Sequence, residues 1–188
     1  MNSLILLDLS AAFDLVDCNV LISKLKVYGL DEAALEWFSS YLTAVWIHHV
    51  FSEWLDVNIG VPQVRILGPL LFIIYANDLP FSFSCHLDLY ADDSTLTSTR
   101  KTIAELNHDV NENCDKVTRW MYENKICLNA DKTHLIIAGT KQRLRRMDIH
   151  EQLDMQMSGY SLVRVNVQSV ILLGVSVQAD LKWTTHVD

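Results

Sequence analysis

The stretch Leu87–Thr95, which reads Leu-Asp-Leu-Tyr-Ala-Asp-Asp-Ser-Thr, decides how the rest of this sequence is interpreted. Its first residues alternate between apolar and polar side chains up to Tyr90, as a half-buried strand does. Two adjacent carboxylates, Asp92 and Asp93, follow where that strand must turn, and a second strand-like run leads away from them. We therefore predict a β-hairpin that carries both aspartates at its tip or shoulder.

Adjacent aspartates repel each other and resist desolvation, so near a core they need water or cations around them. A solvated Asp-Asp turn is the ordinary alternative. A third carboxylate, Asp8, ends the apolar run Leu4–Leu9. If the first strand lies beside the hairpin, Asp8 meets Asp92 and Asp93. Three such carboxylates can hold two divalent cations about 3.5–4 Å apart, and their hard oxygens favour Mg²⁺ or Mn²⁺ over zinc.

The order of the predicted elements is strand, helices, hairpin, long helix, strand. This order predicts an α+β fold, a split βαβ (ferredoxin-like) arrangement in which helices pack on one face of an antiparallel sheet. Apolar spacing and capping residues predict helices over 19–28, 31–42, 67–78 and 102–123. Further strands are predicted over 126–128 and 133–138, with strand pairs at 46–51 with 54–59 and at 162–167 with 170–177.

Charge and composition limit the partners that the chain can have. The 188 residues carry a net charge of -8, which is unexpected for a nucleic-acid-binding protein. Contact with a polyanion must therefore come from a local patch, and Lys141, Arg143, Arg145 and Arg146 form the notable one; a solvated charged loop is the alternative. The sequence contains no run that could span a bilayer, and its cysteines have no zinc spacing, so an intracellular protein, nuclear or cytoplasmic, is expected.

Several stretches, taken in order, resemble the motifs of reverse transcriptases, and their residues are most similar to those of non-LTR (LINE-type) retrotransposons. The first three resemble successive motifs of the polymerase palm, and the later ones match segments that follow it in that family. They are Leu7–Asp14, Gly60–Phe72, Tyr90–Asp93, Leu128–Thr133, Leu173–Val175 and Leu181–Val187. The resemblance implies a palm fold and RNA-directed DNA synthesis, with an RNA template, a DNA primer and deoxynucleoside triphosphates as partners.

The resemblance also assigns roles to single residues. Asp8 and Asp92 resemble the principal metal ligands, and Asp93 the supporting carboxylate, of a catalytic site that uses Mg²⁺ or Mn²⁺. Lys132 resembles the lysine suggested to protonate the departing pyrophosphate, with a solvent-facing lysine as the alternative. These three aspartates are therefore the expected catalytic residues.

The remaining assignments concern substrate and primer. Phe13 matches the aromatic gate beneath the nucleotide sugar, and Gln63 the residue near the templating base. A core aromatic and a satisfied loop amide are the respective alternatives. Leu173, Gly174 and Val175 resemble the hairpin that grips the primer, although they could simply belong to a sheet.

The sequence also departs from the family pattern. Val64-Arg65 stands where the family has Gly-Ser, and this adds bulk where the backbone should run close to the nucleotide. No fingers, thumb or endonuclease region is recognisable. We expect a palm over residues 1–140, a basic and polar linker over 141–160 and a primer-grip hairpin leading to the thumb connection over 161–188.

These departures predict a truncated copy that is inactive on its own. One alternative is a catalytically dead remnant that serves as a binding or scaffold module. Another is a phosphohydrolase or nuclease, because the same acidic cluster can serve that chemistry. The ordered polymerase motifs disfavour the hydrolase.

Overall fold

A computed structural model describes residues 1–43, 46–47, 50–51, 58–62, 66–83, 85–145, 155, 157, 164–165 and 168–182. The chain divides into two compact units, each assembled from separate segments. The first unit contains Met1–Leu9, Pro80–Trp120 and Leu128–Asp188, and the second contains Ser10–Leu79 and Met121–Cys127. Each unit is described by itself below.

The elements follow the α+β order that the sequence predicts. The helices are α1 (Cys18–Val27), α2 (Glu32–Thr43), α3 (Leu67–Ala76), α4 (Ile103–Glu123) and α5 (Lys141–Arg145), with a short 3₁₀ helix at Leu79–Ser82. The strands are β1 (Asn2–Ser10), β2 (Trp46–Ile47), β3 (Val50–Phe51), β4 (His86–Tyr90), β5 (Asp93–Thr99), β6 (Cys127–Leu128), β7 (His134–Ala138), β8 (Arg164–Val165), β9 (Ser169–Leu172) and β10 (Val175–Gln178).

The main sheet has six strands and is mostly antiparallel. Its order is β4-β5-β1-β7-β8, and β6 also pairs with β1. The β4–β5, β5–β1 and β1–β7 pairs are antiparallel, whereas β7–β8 is parallel. The first strand of the chain thus lies next to the predicted hairpin, as expected. This arrangement brings the end of β1 beside the turn between β4 and β5.

Strand β1 has two faces because its side chains alternate. Ile5, Leu7 and Leu9 are buried on one face, while Leu6 and Asp8 lie on the more open one. Helix α4 buries a stripe at helical spacing in the same unit, made of Ile103, Leu106, Val110, Cys114 and Val117. Both buried surfaces are typical of a sheet and a helix that share one core.

The second unit is built on helices. Helix α1 contacts α2 and α3, and its buried Leu21 and Leu25 belong to this core. Asp17 caps α1, since its Oδ1 accepts a hydrogen bond of 3.0 Å from the Val20 amide. Asp31 caps α2 in the same way through the Ala34 amide, as the sequence predicts.

Two strand pairs differ from the sequence-based expectation. Trp46–Ile47 pairs with Val50–Phe51, so the first pairing lies within 46–51, and Ile59 instead forms a bridge with Asp17. The last hairpin joins β9 to β10. Arg164–Val165, expected to be part of that hairpin, pairs with β7. No helix in the described ranges is long and apolar enough to cross a membrane.

Candidate active site

Asp8 and Asp93 lie directly opposite each other across two antiparallel strands. They are register partners in the β1–β5 pair, and the next pairs along the strands are Leu7 with Ser94 and Leu6 with Thr95. Side chains of directly opposed residues in an antiparallel pair lie on the same face of the sheet. The structure therefore brings these two carboxylates together, as predicted from the order of the elements.

The turn between β4 and β5 fixes where Asp93 begins its strand. Tyr90 and Asp93 are register partners, which leaves Ala91 and Asp92 as a two-residue turn. Ala91 has a φ of 54°, and a positive φ at the first turn position is the pattern of a type II′ hairpin. Glycine is favoured there, so alanine carries backbone strain at this turn.

The carboxylates make this end of the sheet strongly negative. Partial burial raises the pKa of Asp93, and the neighbouring charges of Asp92 and Asp8 raise it further, while Lys132 acts in the opposite direction. Within the described ranges, no three His, Cys, Asp or Glu side chains are arranged so that they could hold one metal ion together. Asp8 and Asp93 form the close pair, and Asp92 contributes its charge from the turn.

Lys132 supplies positive charge beside the pair. Its Nζ lies 3.7 Å from Oδ2 of Asp8, and the two side chains are 72% and 23% exposed, respectively. The lysine is therefore an ion partner of Asp8 whose side chain is largely exposed to solvent. Both of the sequence-based interpretations of Lys132 agree with this geometry, because the residue is solvent-facing and also close to a predicted catalytic carboxylate.

Two residues that sequence reasoning missed hold the backbone of Asp8 in place. The Asn129 amide donates a hydrogen bond of 2.8 Å to the Asp8 carbonyl. The Asp8 amide donates to Oγ1 of the buried Thr133 over 3.3 Å, and that hydroxyl donates to the Asn129 carbonyl over 2.9 Å. Both residues lie in the Leu128–Thr133 stretch of the family resemblance, which was the available signal. The loop that presents Lys132 also anchors Asp8.

A cavity of about 500 Å³ opens beside these residues within the first unit. Its lining includes Asp8, Asp93, Lys132, His134 and Leu173. In this part of the described chain, His134 Nδ1 is buried without a hydrogen-bond partner. His134 is the register partner of Leu6, and sequence reasoning did not select it. The lining of the cavity therefore includes both the carboxylates and the β9–β10 hairpin.

The β9–β10 hairpin contains the residues predicted to contact a primer. Leu173 and Gly174 form its two-residue turn, with φ values of 48° and 79°, and Val175 begins β10. Positive φ at both positions is the pattern of a type I′ turn, which ordinarily takes Asn-Gly. The Leu173 side chain is 55% exposed. A strained, apolar and exposed residue thus forms the tip of this hairpin.

Phe13 and Gln63 have different outcomes. Phe13 belongs to the second unit and is half-buried, with its ring centroid 4.9 Å from that of the buried Phe72. This packing agrees with the core-aromatic alternative. Gln63, Val64 and Arg65 lie outside the described residues.

Three of the four basic residues that the sequence singled out lie on α5. Lys141, Arg143 and Arg145 are exposed on this short helix, and Arg146 lies outside the described residues. Exposure of these three side chains agrees with both interpretations of the patch, a polyanion contact and a solvated charged segment.

The chain is similar to known polymerases over most of its length. The profile of the family described as "Reverse transcriptase (RNA-dependent DNA polymerase)" matches residues 2–177. The probable RNA-directed DNA polymerase from transposon BS of Drosophila melanogaster is 29% identical over 143 residues, which are 69% of this chain and 16% of that protein. The corresponding protein from transposon X-element of the same organism is 29% identical over 153 residues, 76% of this chain and 16% of that protein.

A solved structure has the same fold. The structure of apo telomerase from Candida tropicalis, truncated from its C-terminal domain, matches 96% of this chain and 35% of that chain, with a TM-score of 0.51 and 12% identity. At this identity the match is one of fold. The chain spans about 16% of the length of the two transposon proteins.

Proposed function

Because the chain belongs to the reverse transcriptase (RNA-dependent DNA polymerase) family, we propose that it supplies the catalytic carboxylates for adding deoxynucleotides to a primer 3′ end under the direction of an RNA template. The family match confirms the resemblance that the sequence motifs indicated. The observation that carries the proposal is the opposed pair of Asp8 and Asp93 on the open face of the sheet. The finer architecture that we propose is the split βαβ palm, with helices on one face of the sheet.

The electrostatics of the pair fit a divalent cation. Like charges directly opposite each other on a sheet are destabilising unless something neutralises them, and Lys132 is the neighbouring cation that opposes the raised pKa of Asp93. We assign Asp8 and Asp93 as ligands of Mg²⁺, or of Mn²⁺ in its place, with the negative charge of Asp92 at the turn adding to the attraction for the cation. When bound, such ions polarise the primer 3′-hydroxyl and stabilise the charge that develops on the transferred phosphate.

Lys132 is proposed to donate a proton to the departing pyrophosphate. Three properties support this role: the ammonium group lies 3.7 Å from Asp8, it is largely exposed, and its loop is anchored to the Asp8 backbone. A general acid needs to be within hydrogen-bond reach before its pKa matters. The position of Lys132 on a loop that is anchored to Asp8 supports this role.

The substrate contacts are proposed by resemblance. Phe13 would exclude a 2′-hydroxyl from the sugar site, and Gln63 would lie near the templating base. Leu173, Gly174 and Val175 would contact the primer, which is supported by the exposure of Leu173 at the tip of a hairpin that lines the same cavity as Asp8. The partners are then an RNA template, a DNA primer and deoxynucleoside triphosphates, inside the cell.

Primer extension on an RNA template tests the proposal. Because the chain spans about 16% of the length of the two transposon proteins, we propose that it does not polymerise alone. The enzyme to test is therefore a chimera in which residues 2–177 replace the matching segment of a transposon polymerase. With Val64→Gly and Arg65→Ser, which restore the Gly-Ser of the family pattern, the chimera should extend the primer in the presence of Mg²⁺. Asp8→Asn or Asp93→Asn should abolish extension, whereas Asp115→Asn, at an exposed carboxylate of α4, should not.

The controls separate a folding defect from a catalytic one. Asp115→Asn should leave the melting temperature within about 2 °C of the parent chimera. Asp8→Asn and Asp93→Asn should not lower it, because each removes one of two directly opposed like charges. Extension that survives in both Asp8→Asn and Asp93→Asn would overturn the proposal. Substantial extension by the unmodified chain alone would refute the requirement for further segments.

A further inference from the structure

A second cavity, distinct from the one beside Asp8, lies at the opposite end of strand β1. It has a volume of about 680 Å³ and its lining includes Thr99, Arg100, Lys101 and Arg143. Thr99 is the register partner of Asn2, six residues along β1 from Asp8. At about 3.4 Å per residue, the two cavities are roughly 20 Å apart along the strand.

Both carboxylates in this cavity are already engaged. Oε2 of Glu105 accepts hydrogen bonds of 3.2 Å from the amides of Lys101 and Thr102, while Oγ1 of Thr102 accepts one from the Glu105 amide. This reciprocal arrangement is a capping box at the start of α4. Asp109 pairs with Arg100, with Nη2 and Oδ2 2.6 Å apart. The carboxylates therefore serve the fold and the orientation of Arg100.

The cavity lining has more cationic side chains than carboxylates. Lys101 and Arg143 are exposed, and neither forms an ion pair with a carboxylate in the described ranges. Arg100 is held by Asp109 and by a hydrogen bond of 2.9 Å from its Nη1 to the Thr99 carbonyl, yet its side chain is 44% exposed. The cationic side chains of the lining thus exceed its carboxylates by one, in a chain whose net charge is -8.

We propose that this cavity binds phosphate groups of a nucleic-acid backbone. Guanidinium groups present paired donors that match the geometry of phosphate oxygens, and an arginine whose orientation is already fixed loses little freedom on binding. The separation of roughly 20 Å from Asp8 exceeds the size of a nucleotide and suits a polymer that extends along the sheet. The inference rests on the proposed function, because that function supplies the nucleic acid.

Binding of a fluorescently labelled RNA–DNA hybrid, followed by anisotropy between 50 and 200 mM salt, tests the proposal. Lys101→Glu and Arg143→Glu should each weaken binding about tenfold at low salt and reduce the dependence of log K on log salt by about 1. Arg143→Gln, which removes the charge without reversing it, should weaken binding by about threefold. Arg119→Glu is the matched control, because it changes the charge equally at an exposed position of α4 outside this cavity.

The outcomes separate this site from the proposed active site. Primer extension by the chimera reports on the proposed active site, and hybrid binding without Mg²⁺ reports on this cavity, so a failure of the catalytic assignment would not affect this result. Equal weakening by Arg119→Glu and Arg143→Glu would show an effect of total charge and overturn the proposal. Absence of hybrid binding by the wild-type chain at 50 mM salt would overturn it as well.

Discussion

Asp8 and Asp93 face each other as register partners across the β1–β5 pair, at the end of the sheet that carries the β4–β5 turn. Directly opposed like charges disfavour the folded state. The neighbouring cation is Lys132, whose exposed side chain screens the pair weakly. The fold thus maintains an electrostatic conflict that a bound cation would relieve, and the proposed activity depends on this conflict.

Lys132 should compete with a metal ion for Asp8. We expect Lys132→Met to strengthen Mn²⁺ binding by roughly two- to fivefold, because it removes an attraction worth about 1 kcal/mol at most in water. The free energy of unfolding should change by less than about 1 kcal/mol, since the lysine is exposed. Lys132→Arg should leave both quantities near wild type. Weaker Mn²⁺ binding by the methionine variant would instead show that the lysine positions Asp8.

The buried carboxylate of Asp17 should make the protein sensitive to acid. Burial tends to raise the pKa of Asp17, but hydrogen bonds from Lys125 and the Val20 amide outweigh burial and lower it. Stability from a carboxylate with a lowered pKa is present above the unfolded value of 3.8 and is lost as pH falls through the folded value. Asparagine caps a helix equally well, so Asp17→Asn isolates the ion pair with Lys125.

We expect Asp17→Asn to cost about 1–3 kcal/mol in the free energy of unfolding near pH 7, and this difference should shrink below pH 4 in urea titrations. Asp31→Asn is the matched control, because Asp31 caps α2 at an exposed position. It should cost less than about 0.5 kcal/mol. A difference between wild type and Asp17→Asn that stays constant from pH 7 to pH 3 would contradict this assignment.

The hydroxyl of Tyr75 should matter in alkali. It donates to the Asn124 carbonyl and accepts from the Asp17 amide at 3.4 Å, and burial raises the pKa of Tyr75 to about 12. Tyr75→Phe should cost about 1–2 kcal/mol at pH 8 because it leaves buried groups without a partner. Since the folded pKa is raised, this stability is present below pH 10 and is lost as pH rises toward 12.

Denaturant unfolding of wild type and Tyr75→Phe at several pH values measures this effect. Tyr122→Phe is the control, because Tyr122 is 86% exposed and should change the free energy of unfolding little at any pH. An equal loss in the free energy of unfolding for both variants at pH 8 would contradict the role assigned to the buried hydroxyl.

Leu173 should lower the stability of the protein while it supports primer extension. Its φ of 48° disfavours leucine and suits asparagine, so Leu173→Asn should raise the free energy of unfolding by up to about 1 kcal/mol. The same change should reduce primer extension by the chimera if the exposed leucine contacts the primer. Ile171→Asn, on the adjacent strand, should not stabilise the protein, because asparagine is disfavoured in strands. Loss of stability in Leu173→Asn would show that its packing outweighs the backbone strain.

The sequence predicted the core of the site because that part depends on topology and local pattern. Alternation along β4 and the adjacent aspartates predicted the hairpin, and the order of the elements predicted that Asp8 would lie beside it. The structure adds the register, which the sequence left open: Asp8 is opposite Asp93, and Asp92 occupies the turn. A pattern with a period of two residues predicts which strands exist but leaves the register open.

Other features could not be predicted from periodicity or turn preferences. Asn129 and Thr133 hold Asp8 through its backbone amide and carbonyl, and such contacts between distant positions leave no periodic trace in a sequence. The final hairpin was placed too early because its turn contains leucine at a positive φ, where turn preferences favour asparagine or glycine. Departures of this kind are expected where function rather than stability selects the residue.

Mn²⁺ binding to the purified chain, measured by water-proton relaxation, tests the central claim most directly. Wild type and Asp115→Asn should bind Mn²⁺ with equal affinity, whereas Asp8→Asn and Asp93→Asn should each weaken binding on the order of tenfold or more, which corresponds to at least about 1.4 kcal/mol. If both variants bind Mn²⁺ as tightly as wild type, then the Asp8–Asp93 pair is not a metal site.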